Sequence, residues 1–119
     1  LRKSLNEYFD IITLEKEQVK LSNDGTTKFL FKLSDGTAVE TVLMKYNFGN
    51  SVCVSSQVGC RMKCDFCASS KLSFERNLTS GEIVQQIIMA SRHIGEKISN
   101  IVFMGIGEPL DNYDNVVNA

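Results

Sequence analysis

From Lys28 to Leu33 the chain alternates, with Phe29, Phe31 and Leu33 set between Lys28, Leu30 and Lys32. A period of two predicts a strand with one face toward a core. Asn23-Asp24-Gly25 ahead of it is a turn signal, and Ser34-Asp35-Gly36-Thr37 behind it predicts a hairpin turn. A second strand, rich in Val and Thr, is expected from about Ala38 to Met44, with Glu40 on the face of Val42 and Met44. Ser51 to Ser56 predicts a further strand, and Gln57 to about Asn77 a loop. Thr79-Ser80-Gly81-Glu82 has the form of a capping box. Behind it Ile83, Val84, Ile87, Ile88, Ser91 and Ile94 recur at helical spacing, with Gly95 as the stop. Ile101-Val102-Phe103-Met104 is a continuous apolar run of the kind found in parallel strands buried on both faces. It leads into Gly105-Ile106-Gly107-Glu108-Pro109 and the start of another helix. Near the N-terminus, Ser4 to Phe9 reads as one or two helical turns with Leu5, Tyr8 and Phe9 on one side.

The order strand, loop, helix, strand, loop, helix predicts an α/β fold with a parallel sheet and a right-handed crossover. The hairpin is expected to form a β-rich N-terminal extension over residues 1–48, and the βα units to occupy 49–119. The sequence has no internal repeats and no low-complexity stretch. At 119 residues, starting on Leu1 and stopping just after a strand and a helix start, it is expected to be a piece of a longer protein.

Apolar residues make up 43% and charged residues 23% of the chain, as in an ordinary globular protein. No apolar run approaches the roughly 20 residues that span a bilayer, and no secretory signal pattern is present. The expected compartment is the cytoplasm, with no membrane partner. The net charge of −1 argues against strong electrostatic binding of nucleic acid by this stretch alone. The small basic groups Arg61/Lys63 and Lys71/Arg76 read as a solvated loop.

The cysteines change the picture. Cys53, Cys60, Cys64 and Cys67 are the only four, and they lie in one short stretch. Without a secretory signal, a metal or redox site is expected rather than a disulfide framework. The C-x3-C-x2-C spacing of Cys60, Cys64 and Cys67 places three thiolates on one loop. Three thiolates suit three irons of a 4Fe–4S cluster and leave the fourth iron open to a substrate. Structural zinc is the competing reading, although only Cys64/Cys67 has the knuckle spacing and no second pair follows. Gly105-Ile106-Gly107-Glu108-Pro109 reads either as a plain turn or as a ligand loop. In the second reading glycines admit a ligand to the backbone and a carboxylate grips an ammonium group.

C-x3-C-x2-C with Phe66 before the last cysteine, followed one βα unit later by Gly107-Glu108-Pro109, resembles the signature of radical S-adenosylmethionine (SAM) enzymes. The resemblance implies a partial (β/α) barrel whose first βα loop holds the cluster. The amino and carboxylate groups of SAM would bind the open iron, and electron transfer would yield a 5′-deoxyadenosyl radical. It makes Cys60, Cys64 and Cys67 the cluster ligands, and Gly107 and Glu108 the SAM-binding candidates.

Cys53-Val54-Ser55-Ser56-Gln57-Val58-Gly59-Cys60, Arg76-Asn77-Leu78, Gly81-Glu82-Ile83 and Phe103 to Leu110 narrow this to the RlmN/Cfr group, and within it to the RlmN type. Asp24 to Lys28 and Val39 to Val42 match as well, so the resemblance runs from about Asp24 to Val117. Such enzymes methylate carbon 2 of an adenine in 23S rRNA and in certain tRNAs. One SAM methylates a cysteine near the C-terminus, and a second generates the radical that activates that methyl group. By this resemblance Cys53 is the cysteine that helps resolve the protein–RNA adduct, with a disulfide forming as product leaves. The resemblance likewise makes Glu40 the proton acceptor, whereas the residues alone read more commonly as an exposed strand Glu. The implied partners are 23S rRNA, tRNA and an electron donor such as flavodoxin. The methyl-carrying cysteine lies outside this chain, so the piece is not expected to complete methyl transfer. Another radical SAM enzyme, such as an activase, would give no role to Cys53 or Glu40.

Overall fold

The computed structural model describes residues 13–119. The helical turns expected over Ser4 to Phe9 lie outside the described residues. Strands β1 (Glu15–Leu21), β2 (Thr27–Lys32), β3 (Ala38–Tyr46) and β4 (Gly49–Cys53) follow one another. Two short strands, β5 (Gln57–Val58) and β6 (Arg76–Asn77), bracket the cysteine loop. Helix α1 (Ser80–Ile94), strand β7 (Asn100–Val102) and helix α2 (Tyr113–Asn118) complete the order, with 3-10 turns at Ala68–Lys71 and Pro109–Asn112.

Five strands form one sheet in the order β1-β2-β3-β4-β7. The expected parallel pairing is found between β4 and β7, where Ser51 pairs with Asn100 and Cys53 with Val102. The other three pairings are antiparallel, so the sheet is mixed. Tight turns between successive strands impose antiparallel neighbours, and only the α1 crossover is long enough to return a strand in the same direction. Two of those turns share one chemistry. Asp24 Oδ1 accepts from Thr26 N at 2.9 Å and Asp35 Oδ1 from Thr37 N at 3.0 Å. Gly25 and Gly36 supply the left-handed residue at φ 84° and 86°.

β1 is an addition to the elements read from the sequence. All seven of its residues are exposed. With both faces in water it carries no alternation to detect, and its charges suit an edge strand.

One sheet face is the core. Phe29 and Phe31 of β2, Val39 and Leu43 of β3, and Val52 of β4 are buried there with Val54, against Ile83 and Ala90 of α1. The Phe29 and Phe31 rings stack at 5.4 Å, and His93 of α1 meets Phe29 edge-on at 5.1 Å. The capping box forms in full, and Gly95 ends α1 in the left-handed conformation. The buried stripe of α1 is rotated from the one the apolar spacing predicts: Glu82, Gln85 and Gln86 are buried, while Ile88 is 38% exposed. Polar groups win because each has a partner. Gln86 Oε1 accepts from Thr41 Oγ1 at 2.7 Å and from Ser55 N at 2.9 Å, and its Nε2 donates to Ser55 O at 2.9 Å. Gln85 Oε1 accepts from Thr13 N at 2.7 Å and Leu14 N at 3.1 Å.

β7 departs from the expected run in a second way. It spans Asn100–Val102, Ile101 is 47% exposed and Met104 81%. Burial on both faces needs a packed layer over each face of the sheet, whereas the described core lies on the α1 face and β7 is an edge strand paired only with β4 among the described residues. No described helix is long and apolar enough to cross a membrane.

Replacing Gln86 by Leu removes the partners of Thr41 and of both Ser55 backbone groups. A loss of about 3 kcal/mol or more is expected in equilibrium denaturation, because each of the three buried groups left unpaired costs roughly 1–3 kcal/mol. Thr79→Ala, which removes only the cap, is expected to cost about 1 kcal/mol by the same measurement.

Candidate metal centre and ligand loop

Parallel strands β4 and β7 end on the same side of the sheet, and the two chemistry-bearing loops leave from those ends. This is where open α/β sheets and (β/α) barrels place their sites. The cysteine loop is closed at its base by the pairing of Gln57 with Asn77 and Val58 with Arg76. Glu75 N donates to Val58 O at 2.9 Å and continues that closure. Gly59 turns into the loop at φ 72°, where a Cβ would collide with the Ser73 carbonyl.

All four cysteines are free thiols; Cys60 and Cys67 are half-buried and Cys64 is exposed. Cys67 N donates to Cys64 O at 3.0 Å, a turn that sets those two thiols on one bend. Lys63 precedes it in the left-handed region at φ 51°. Phe66 points into solvent at 94% exposure. Among the described residues no three His, Cys, Asp or Glu side chains converge into a metal cage. The structure therefore brings Cys60, Cys64 and Cys67 onto one loop without gathering them around a point. Three unpaired thiols on a single loop remain a donor set that suits iron–sulfur chemistry.

The second loop is built against the segment that follows β4. Ser55 Oγ donates to the Glu40 carbonyl at 2.6 Å and accepts from Ile106 N at 3.0 Å. Ile106 O accepts from Ser56 N at 2.9 Å and Gln57 N at 3.2 Å. Gly105 lies against Val54 O and Ser55, and Gly107, at φ 102°, against the Gln57 side chain; a Cβ at either would clash. Both glycines thus serve contact between the loop and the segment 54–57 that follows β4. Glu108 Oε1 accepts from Leu110 N at 3.0 Å and caps the 3-10 turn that follows. The buried hydroxyl of Ser56 is left without a hydrogen-bond partner. An orphan polar atom at this junction fits a site that takes a polar ligand.

Cys53 ends β4, opposite Val42 on one side and Val102 on the other. Burial pushes its thiol pKa up, and a hydrogen bond from the Met104 backbone offsets part of that. Register places Lys28, Val42 and Cys53 in one row across three strands, and Glu40 two residues along β3 from Val42. Alternation then puts Glu40 and Cys53 on the same sheet face, opposite α1. Glu40 is 42% exposed and pairs with Lys28 Nζ at 2.6 Å. An ion pair thus stands where the sequence suggested purely apolar company.

Of the basic residues read as a solvated loop, two are ion-paired. Arg61 Nε lies 2.9 Å from Asp111 Oδ2, and its guanidinium sits over the Phe74 ring at 3.9 Å. Arg76 grips Glu82 with both terminal nitrogens, at 2.9 and 2.8 Å, and Asp35 with Nε at 2.6 Å. It ties the β2–β3 turn and the start of α1 to the base of the cysteine loop. Burial alone would raise the Glu82 pKa, but Arg76 and the Thr79 backbone bring it below its ordinary value. The Arg76 hydrogen bond, then those of Thr37, hold Asp35 well below the usual carboxylate range. Spacing alone carried no sign of this latch, nor of Gln57 and Asp111, which join the two loops.

No family model matches the chain. Curated relatives do. A protein of Clostridium botulinum (strain Eklund 17B / Type B) named probable dual-specificity RNA methyltransferase RlmN is 59% identical over 114 residues, covering 95% of this chain and 33% of the relative. One of the same name from Bacillus thuringiensis (strain Al Hakam) is 52% identical over 120 residues, covering 98% of this chain and 33% of its own length. The crystal structure of a radical SAM methyltransferase from Sphaerobacter thermophilus superposes with a TM-score of 0.91 at 42% identity, covering 98% of this chain and 35% of that one. The chain spans about a third of the length of the curated relatives it matches.

Both carboxylates of the Arg76 latch have folded pKa values below the ordinary 3.8 of Asp and 4.5 of Glu. Their stabilisation is therefore fully present above those ordinary values and lost as pH falls through the lower folded ones. The denaturation midpoint is expected to fall between about pH 5 and pH 2, and Arg76→Met to flatten that fall. A midpoint whose pH dependence is unchanged in Arg76→Met would remove the latch from the account.

Proposed function

We propose that this chain, related over its length by sequence and fold to the RlmN-type radical SAM methyltransferases, carries the cluster-holding and SAM-holding loops of an adenine-C2 RNA methyltransferase. Its substrates in the longer protein are 23S rRNA and tRNA, its reductant a carrier such as flavodoxin, and its compartment the cytoplasm. The observation that supports this reading best is the parallel β4–β7 pair, whose ends project the cysteine loop and the Gly105–Pro109 loop on one side of the sheet.

In this reading Cys60, Cys64 and Cys67 would hold a 4Fe–4S cluster, and Gly107 and Glu108 would hold SAM. When bound, these groups supply one-electron cleavage of SAM, which reaches an adenine carbon too poor in electrons for ordinary methyl transfer. The chain's own residues do the remaining work. Cys53, with its pKa raised by burial, is kept as a thiol at neutral pH, and it serves as the resolving cysteine once an adduct forms. In resolution the Cys53 sulfur would bond to the sulfur of the methyl-carrying cysteine; the bond from that sulfur to the transferred carbon would break, its electron pair would stay with the carbon, and a proton would complete the methyl group on the adenine. Glu40, on the same sheet face as Cys53, accepts the proton lost from the adenine carbon, and Lys28 holds its carboxylate in place through the pair at 2.6 Å.

The test is anaerobic iron–sulfide reconstitution of a full-length enzyme carrying this stretch, with electron paramagnetic resonance of the reduced protein and an adenine methylation assay. A 4Fe–4S signal that changes on addition of SAM is expected, and it should vanish when any one of Cys60, Cys64 or Cys67 is replaced by Ala. Cys53→Ala and Glu40→Gln should keep the signal and lose turnover by about a hundredfold or more, the usual weight of a catalytic proton-transfer group or thiol. Normal turnover by Cys53→Ala would point to a different radical SAM reaction.

A further inference from the structure

Gln57 touches both loops that the proposed reading uses. Its side chain is fully buried. Nε2 donates to Asn77 Oδ1 at 2.8 Å and to Asp111 Oδ2 at 2.9 Å, while Oε1 accepts from Glu108 N at 3.0 Å. Asn77 closes the base of the cysteine loop. Asp111 receives a second donor, Arg61 Nε at 2.9 Å, and Arg61 follows the first cysteine of the loop. The same guanidinium stacks on Phe74, near the far end of that loop. Gly107 leaves no space beside the Gln57 side chain, so the contact between them is close packing as well as hydrogen bonding.

We propose that Gln57 is a positioning residue that fixes the loop ending in Glu108 against the cysteine loop, so that SAM and the cluster are held in one frame. The inference rests on the function proposed above. The chemistry asks for an amide. A backbone N–H on one side and two oxygens on the other need one acceptor and two donors, which Gln supplies in a single orientation. A carboxylate here would face the Asp111 carboxylate and could donate to neither oxygen. An apolar side chain would leave Glu108 N, Asn77 Oδ1 and one Asp111 oxygen without this partner. Gln57 acts through the backbone of Glu108 and through Asp111, and it touches neither the cluster ligands nor a substrate.

The pair Gln57 and Asp111 permits a charge-exchange test in a full-length enzyme carrying this stretch. Gln57→Glu should retain cluster iron and the resonance signal of the reduced cluster without SAM. Its dissociation constant for SAM, read from the change of that signal on titration, should rise by about tenfold or more, the scale of one or two lost buried hydrogen bonds. Gln57→Glu combined with Asp111→Asn should bring SAM binding back to within about threefold of the parent, because the new amide can donate to the new carboxylate. A residue needed only for packing would not be rescued by exchanging the charge. The inference is overturned if Gln57→Glu binds SAM as the parent does, if the double variant binds no better than Gln57→Glu, or if Gln57→Glu loses the cluster together with SAM. A parent enzyme whose cluster does not respond to SAM overturns the functional reading itself, and this inference with it, before any variant is compared.

Discussion

The parallel pairing of β4 with β7 is the constraint on which the rest depends. An antiparallel neighbour would have sent the Gly105–Pro109 loop to the opposite end of the sheet from the cysteines. Parallel pairing requires a long crossover, and α1 supplies it, so the helix that covers the core also sets the spacing between the two loops. The register Cys53↔Val102 then fixes where each loop starts. From there Ser55, Ser56 and Gln57, just past the end of β4, hold the second loop through hydrogen bonds beside the close packing of its two glycines.

Those contacts show a division of labour inside the molecule. Phenylalanines and aliphatic side chains hold the sheet to the helix, whereas buried amides hold loops to the sheet. Apolar burial is strong and indifferent to direction. A loop held in one place needs direction, and Gln57, Gln86 and Asn112 provide it through hydrogen bonds with defined donors and acceptors. The cost is that each such group is expensive to leave unpaired. The same logic explains why Glu82 tolerates burial, since Arg76 and the capping box satisfy both of its oxygens.

The face opposite α1 has a different character. Glu40, Val42 and Cys53 share it half-buried, with Lys28 exposed beside them. An ion pair and a thiol whose pKa burial raises lie on this one face. The matched crystal structure is nearly three times as long as this chain, which leaves ample chain to line that face in relatives.

Much of this was legible in the residues. The hairpin, the capped helix, the strand after the cysteine loop and the motif-bearing loops were where the patterns put them, because alternation, capping and turn chemistry act over a few residues. The RlmN resemblance stood on short motifs that comparison with relatives and a solved structure supports. β1 was invisible because a strand wet on both faces has no period. The α1 stripe was misjudged because buried glutamines look polar until their partners are known. What the sequence determined by itself was the local: elements, turns, and three thiols on one loop. What only the tertiary structure decided was the joining of groups apart in the chain, Glu40 with Lys28, Arg76 with Asp35, and Gln57 with Glu108 and Asp111 more than 50 residues on, since such partnership depends on strand order and register, which no short stretch of chain contains.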